Sequence, residues 1–130
     1  MDQSQTSVFQ FFEDMGSGNS HRPGFERIDT HANVIFLIGD TAYKMKRSVR
    51  YPFLDYSTLE LREEACKAEI TFNRPNAPRI YREAVPVTRE EDGRFALGGT
   101  GETVEWVVVM NRFERQGELD ILAGQTRFSD

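Results

Sequence analysis

The sequence predicts an α+β domain, in which an antiparallel sheet packs against one long helix. Short β-prone runs are separated by tight turns such as Gly39-Asp40 and Asp92-Gly93, and strands joined by such turns pair antiparallel. Residues 58–73 instead repeat their apolar side chains with helical spacing. The predicted order is a helix, three strands, the long helix, and two or three strands.

The chain divides into an N-terminal helix and loop, residues 1–24, and a domain of residues 25–130. Apolar residues in the first segment predict a short helix at Thr6–Met15, which the glycines after it end. We expect this helix to carry no chemistry and to pack on the outside of the domain or on a neighbour. The strands are predicted at Phe25–Asp29, Val34–Ile38, Thr41–Arg47, Ile80–Thr88, Arg94–Leu97 and Thr103–Met110, the last being the most apolar and therefore central.

Composition excludes several classes of protein. The 130 residues include 38% hydrophobic ones, enough for the core of one domain. The net charge of −5 argues against a general binder of nucleic acid or membrane surfaces. No apolar run is long enough to span a membrane. No basic residue precedes the short apolar run near the N-terminus, so a secretory signal is not expected. The single cysteine, Cys66, rules out an internal disulfide and a cysteine-based zinc site. We expect a cytoplasmic protein.

Glu69 is the most informative residue of the long helix, Thr58–Asn73. Helical spacing puts it between two apolar arcs, while Glu60, Glu64, Lys67 and Thr71 share the solvent side. A carboxylate among apolar neighbours needs a cation partner. In one interpretation, Glu69 pairs with a cation from another element. In the alternative, its role is purely structural, and it pairs with Arg62 or reaches the edge of the helix. Asp55 or Ser57 is expected to cap the helix, and Ser57 would form a capping box with Glu60.

Lys44 lies in the middle of a predicted strand and shares a face with Ala42 and Lys46. A strand lysine usually points to solvent, but one that pairs with a carboxylate from the following helix matches the way kinases hold a lysine against nucleotide phosphates. His31, in a turn, either donates to a phosphate or closes a hairpin. The segment Gly98–Gly101 lacks the Gly-Lys-Ser/Thr of a Walker motif and predicts a plain turn.

Basic residues also alternate with aromatic ones after the third strand. This patch includes Lys46, Arg50, Tyr51 and Phe53, and it leaves open a third, weaker function, binding of single-stranded nucleic acid. Cys66 is expected to be an inert core thiol.

Four motifs follow one another along the chain: Thr-His at 30–31, VIFLIGDTAYKMK at 34–46, FLDYSTL at 53–59 and a Glu followed by Asn-Arg at 69–74. Through these motifs, residues Glu26 to Leu122 resemble an uncharacterised bacterial family related to aminoglycoside phosphotransferases. A Val-x-Met-x-Arg-Phe pattern found later in the family resembles Val109–Phe113 when one shift along the strand is allowed. This resemblance implies a protein-kinase-like fold, of which the chain is the N-terminal lobe with a five-stranded antiparallel sheet and one long helix.

The resemblance also implies the site. Lys44 corresponds to the phosphate-contacting lysine, with Lys46 as the alternative, and Glu69 corresponds to the carboxylate that orients it, with Glu63 as the next candidate. The turn containing His31 and Asn33 covers the phosphates. The segment containing Val109, Met110 and Arg112 is the hinge that meets adenine. ATP and Mg²⁺ are the expected cofactors, and no residue of this chain is expected to bind the metal.

Four departures from the family pattern matter. The first hairpin lacks a Gly-x-Gly-x-x-Gly loop, Asn33 replaces a frequent Ser, and Pro75 replaces a second Arg. No His-x-Asp catalytic loop follows before Asp130. We therefore expect this chain alone to be inactive and to need a C-terminal lobe, which would bring the small-molecule acceptor. The alternative is a non-catalytic binding or regulatory domain of the same fold.

Without a large lobe beside it, the small lobe is also expected to have an exposed surface. Lys44, Val109, Met110 and Phe113 are expected on an open face of the sheet, through which the chain would form a homodimer. The first helix is the alternative cover for that face.

Overall fold

The computed structural model describes residues 3–17 and 25–112, which form an α+β fold. The main sheet of this part is antiparallel with the strand order β1-β2-β3-β8-β6-β7. A separate hairpin pairs β4 with β5. The elements are α1 (Gln3–Ser17), β1 (Glu26–Asp29), β2 (Asn33–Ile38), β3 (Thr41–Lys46), β4 (Arg50–Tyr51), β5 (Leu54–Asp55), α2 (Leu59–Asn73), β6 (Tyr81–Arg89), β7 (Phe95–Leu97) and β8 (Glu102–Asn111).

The sheet confirms the predicted class and order but not the expected number of strands. β8 is central, between β3 and β6, as its apolar sequence predicts. The expectation of five strands is wrong, since six strands form the main sheet of the described part and two more form the small hairpin. The sixth strand is β7, which a turn through Gly93, at a φ of 85°, folds back onto β6. Only glycine adopts this conformation readily.

Helix α1 belongs to the core, so the expectation that it packs outside the domain is wrong. It is longer than predicted, and its buried residues Val8, Phe9 and Phe12 join the apolar side chains on one face of the sheet. The ring of Phe12 stacks on that of Phe36, with centroids 4.9 Å apart. Aromatic residues at helical spacing are buried here because the sheet offers them an apolar face. The predicted alternative, a first helix that covers the sheet, is confirmed.

Helix α2 covers the opposite face, where Cys66 packs against Ile35, Leu37 and Val108. The helix begins after Thr58, whose hydroxyl accepts a hydrogen bond from the backbone N–H of Leu61 at 3.2 Å. The predicted cap at Asp55 or Ser57 is therefore wrong by one to three residues.

The exposed side of α2 is as predicted, with Glu60, Glu64, Lys67 and Thr71 open to solvent. Phe72 is 74% exposed although it is apolar, because it lies in the last turn of the helix. Within residues 3–17 and 25–112, neither helix has the length and apolar character needed to cross a membrane.

Candidate functional site

Lys44, Lys46 and Glu69 form a buried ionic triad between β3 and α2. Alternate residues of a strand share a face, so both lysines point toward α2. The Lys44 ammonium donates to Glu69 Oε2 at 3.1 Å, and the Lys46 ammonium donates to Glu69 Oε1. The three residues are only 1%, 4% and 8% exposed, respectively. The predicted pairing of Lys44 with Glu69 is confirmed, and Lys46 shares the same carboxylate.

The two purely structural alternatives for Glu69, pairing with Arg62 and reaching the helix edge, do not describe its environment. Arg62 pairs with a different carboxylate, that of Glu105, and Glu69 itself is buried rather than turned to the helix edge. Glu63, the other candidate for the role of Glu69, lies at the surface of α2 and pairs with Lys67 at 2.5 Å. Glu63 is therefore not the carboxylate that meets the strand lysines.

Burial and charge act differently on the three groups of the triad. Burial lowers the pKa of Lys44 to about 8, despite the attraction of Glu69. Burial also opposes the charged forms of Lys46 and Glu69, but charge attraction outweighs it. The pKa of Lys46 is raised by Glu69, and the pKa of Glu69 is lowered by Lys44 and Lys46 together. Of the two lysines, Lys44 is therefore the one that releases its proton first as the pH rises.

The triad carries an excess of positive charge at neutral pH. Two ammonium groups share one carboxylate, and an uncompensated ion in a protein interior is unfavourable by several kcal/mol. Burial is the main cause of the low pKa of Lys44, and the positive charge of Lys46 lowers it further. An anion beside Lys44 would remove the imbalance, so the triad is suited to binding a negatively charged group such as a phosphate.

Other polar groups lie on the same face of the sheet. Asn33 is paired with Lys46 in the β2–β3 register, and its side-chain oxygen is buried without a hydrogen-bond partner in the described part. The Tyr81 hydroxyl is likewise buried and unpartnered there, and burial raises its pKa. The Cys66 thiol, also buried, has its pKa raised to about 12, which fits the predicted inert core thiol. The Lys46 ammonium lies 5.5 Å from the centre of the Tyr56 ring.

The remaining predicted site residues are spread over the sheet. His31 is exposed in the β1–β2 turn, where its ring meets the edge of Tyr51. Val109 and Met110 are buried in β8, on opposite faces of the sheet. Arg112 follows β8, and its backbone N–H donates to the carbonyl of Asp40 at 2.8 Å. The structure thus brings Asn33 to the triad and leaves His31 at the surface.

The predicted open face is wrong for the residues that the structure describes. Lys44, Val109 and Met110 are 1%, 5% and 2% exposed. They are covered because α1 packs on the Val109 face of the sheet and α2 on the face of Lys44 and Met110. The expected homodimer therefore has no such open face in this part of the chain. Phe113 lies outside the described residues.

Sequence reasoning missed a second buried network, which joins Gln5, Arg62 and Glu105. Glu105 and Gln5 are fully buried, and Arg62 is 3% exposed. The Arg62 Nε donates to Glu105 Oε1 at 2.8 Å, and the Gln5 amide donates to Glu105 Oε2 at 2.9 Å. A carboxylate within the most apolar strand was the available signal for Glu105, because such a group needs a partner. Gln5 gave no comparable signal.

Comparison with known proteins finds relatives of unassigned function. Three proteins described as uncharacterised, one from Mycobacterium bovis and two from strains of Mycobacterium tuberculosis, are each 33% identical to the chain over 91 residues. The alignment covers 70% of this chain but only 16% of each relative. The chain therefore spans about a sixth of the length of the curated relatives it matches. No protein-family model and no solved structure matches the chain.

Proposed function

We propose that the chain is the nucleotide-binding lobe of a small-molecule phosphotransferase. The observation that carries the proposal is the buried ion pair between Lys44 on the third strand and Glu69 on the following helix, 3.1 Å apart. Protein kinases use such a pair, a lysine of the third strand held by a helix glutamate, to position nucleotide phosphates. The resemblance of residues 26–122 to the phosphotransferase-related family supports the same assignment.

The charge of the site also supports the proposal. Lys44 and Lys46 together carry one positive charge more than Glu69 neutralises, and the polyphosphate of ATP supplies negative charge. In this role Lys44 binds phosphate oxygens, and Glu69 holds its ammonium in position. Lys44 is 1% exposed, so a phosphate reaches it only if α2 or the turn after β1 moves aside. That movement opposes binding, and we expect a weak affinity in the isolated chain.

The residues of the triad fit a phosphate rather than a metal, because two of the three are cations. Mg²⁺ would arrive with ATP and neutralise charge on the phosphoryl group during transfer. The base that accepts the proton of an acceptor hydroxyl would come from a C-terminal lobe. The relatives support such an arrangement, since most of their length lies outside the matched segment. The acceptor, an unidentified small molecule, would also bind mainly to that lobe.

One observation favours a second candidate, a non-catalytic binding or regulatory domain. The triad is almost completely buried. Such burial is typical of an ion pair with a purely structural role. In that case Lys44 and Glu69 join β3 to α2, and no nucleotide binds.

Calorimetric titration of the chain with MgATP distinguishes the two candidates. We expect binding that is weaker than micromolar in the wild type, absent in Lys44→Met, and unchanged in Lys67→Met, which alters a lysine on the exposed side of α2. We expect no transfer of phosphate by the isolated chain. Equal binding by wild type and Lys44→Met, or no binding at any nucleotide concentration, would contradict the nucleotide proposal, and the latter result would support the structural candidate.

A further inference from the structure

The network around Gln5 connects α1 to both elements that carry the triad. The Gln5 side chain donates to the backbone carbonyl of Lys46 at 2.9 Å and accepts from the backbone N–H of Ser48 at 2.8 Å. Its amide also donates to Glu105 at 2.9 Å. A single side chain of α1 therefore holds the end of the strand on which Lys46 lies, together with the central strand β8.

From Glu105 the connection continues to α2. The second carboxylate oxygen of Glu105 accepts from Arg62 at 2.8 Å, and Arg62 also donates to the backbone carbonyl of Tyr56 at 2.9 Å. Arg62 lies two helical turns before Glu69, on the same buried side of α2. The orientation of the helix that brings Glu69 to the lysines is thus fixed at its first turn by a residue bonded, through Glu105, to α1.

These groups are all buried, so their bonds depend on one another. If α1 leaves the sheet, the Ser48 N–H and the Lys46 carbonyl lose the Gln5 amide, and Glu105 loses one of its partners. An unsatisfied polar group in the interior is unfavourable, and the surrounding structure rearranges to hydrate it. The nearest elements able to do so are the end of β3 and the first turn of α2.

We propose that α1 is a latch for the Lys44–Glu69 pair, and that Gln5 and Glu105 are positioning residues which keep α2 in the orientation that closes this pair. Docked α1 closes the pair, and displaced α1 lets α2 swing away and opens the lysines to solvent. The inference deepens the proposed function, because the opened state is the one in which a phosphate can reach Lys44. The hydrogen-bonded connection from α1 through Glu105 to α2 is nevertheless independent of nucleotide binding.

The test compares two variants by the reactivity of Lys44 in the absence of nucleotide. Gln5→Met keeps the volume of the side chain but removes its hydrogen bonds, whereas Gly101→Ala destabilises the turn before β8 and changes neither α1 nor the polar network. Lys44 is acylated with an amine-specific reagent at pH 8, and its modification is measured by mass spectrometry. Denaturant is adjusted until both variants have the same free energy of unfolding.

We expect Lys44 to react at least about tenfold faster in Gln5→Met than in Gly101→Ala, because Gln5→Met removes three hydrogen bonds and the loss of a single buried one already shifts an equilibrium by about that factor. Equal rates would overturn the proposal, since Gln5 would then contribute to stability alone. If Gln5→Met does not fold, hydrogen exchange of the wild type answers the same question. The amides of α1 and of the first turn of α2 should open together. An α2 that stays protected while α1 opens would overturn the latch.

Neither measurement uses ATP, so the two proposals fail separately. Unchanged labelling of Lys44 removes the latch and leaves the nucleotide proposal standing. Absence of MgATP binding removes the nucleotide proposal and leaves the latch.

Discussion

Replacing Glu69 by glutamine is expected to destabilise the fold strongly. The substitution keeps the shape of the side chain but leaves two ammonium groups, on Lys44 and Lys46, without a counter-charge in the interior. Removal of one partner from a buried ion pair is unfavourable by about 3–5 kcal/mol. This loss is a large share of the total stability of a domain, which is about 5–15 kcal/mol.

The stability lost in Glu69→Gln should depend on pH, and the titration of the two lysines determines whether it grows or shrinks as the pH rises. Without Glu69 the folded-state pKa of both lysines falls, while in the unfolded chain it is about 10.4. Between these values the unfolded state binds more protons, so the stability of Glu69→Gln rises as the pH increases toward 10. In the wild type Lys44, whose pKa is about 8, makes a contribution of the same sign between pH 8 and the unfolded value.

Urea unfolding followed by the fluorescence of the single tryptophan, Trp106, measures this loss. The matched control is Glu63→Gln, which breaks a surface pair on the same helix and is expected to change stability by about 0.5 kcal/mol or less. If Glu69→Gln does not fold at neutral pH, adding Lys44→Met removes one buried charge and should restore folding. The reasoning is refuted if Glu69→Gln and Glu63→Gln lose the same free energy of unfolding, or if the difference between them does not change with pH.

Three further predictions concern the core and the turns. Phe12→Ala should lower the free energy of unfolding by about 3–5 kcal/mol, because the ring is fully buried against Phe36; a loss below about 1 kcal/mol in urea unfolding would mean that α1 is not part of the core. Gly101→Ala should lower the melting temperature, since a Cβ there would lie 2.0 Å from the carbonyl oxygen of Arg89; an unchanged melting temperature would contradict this packing. The Cys66 thiol, with a pKa of about 12, should not react with a disulfide reagent at pH 8 until urea unfolds the chain, and rapid reaction of the native protein would contradict its burial.

The sequence predicted the groups whose position follows from a simple period. Alternation along β3 put Lys44 on one face with Ala42 and Lys46, and helical spacing put Glu69 between two apolar arcs. The pairing of the two residues was predicted by the resemblance to the phosphotransferase-related family. The role of Lys46 was harder to foresee, because the strand period puts it on the same face but does not decide which lysine the carboxylate prefers.

Other features depend on contacts that no local pattern reveals. Gln5 and Glu105 are 100 positions apart in the sequence, and only the docking of α1 on the sheet brings them together. The strands β4 and β5 have only two residues each, too few for a period to be recognised. The burial of Lys44 and Met110 was missed because the comparison with a two-lobed kinase suggested an open face, whereas both faces of this sheet carry a helix.

The titration of Lys44 in the presence of a polyphosphate tests most directly whether the triad is an anion site. The ¹³Cε resonance of Lys44, assigned by its loss in Lys44→Met, is followed against pH in the free chain, with tripolyphosphate and with adenosine. We expect a midpoint near pH 8 in the free chain, from the Lys44 pKa of about 8, and a higher midpoint with tripolyphosphate, because a bound anion favours the ammonium form. Adenosine should leave the midpoint unchanged. A midpoint that tripolyphosphate leaves unmoved at saturating concentration would contradict the assignment of Lys44 as the phosphate-binding residue.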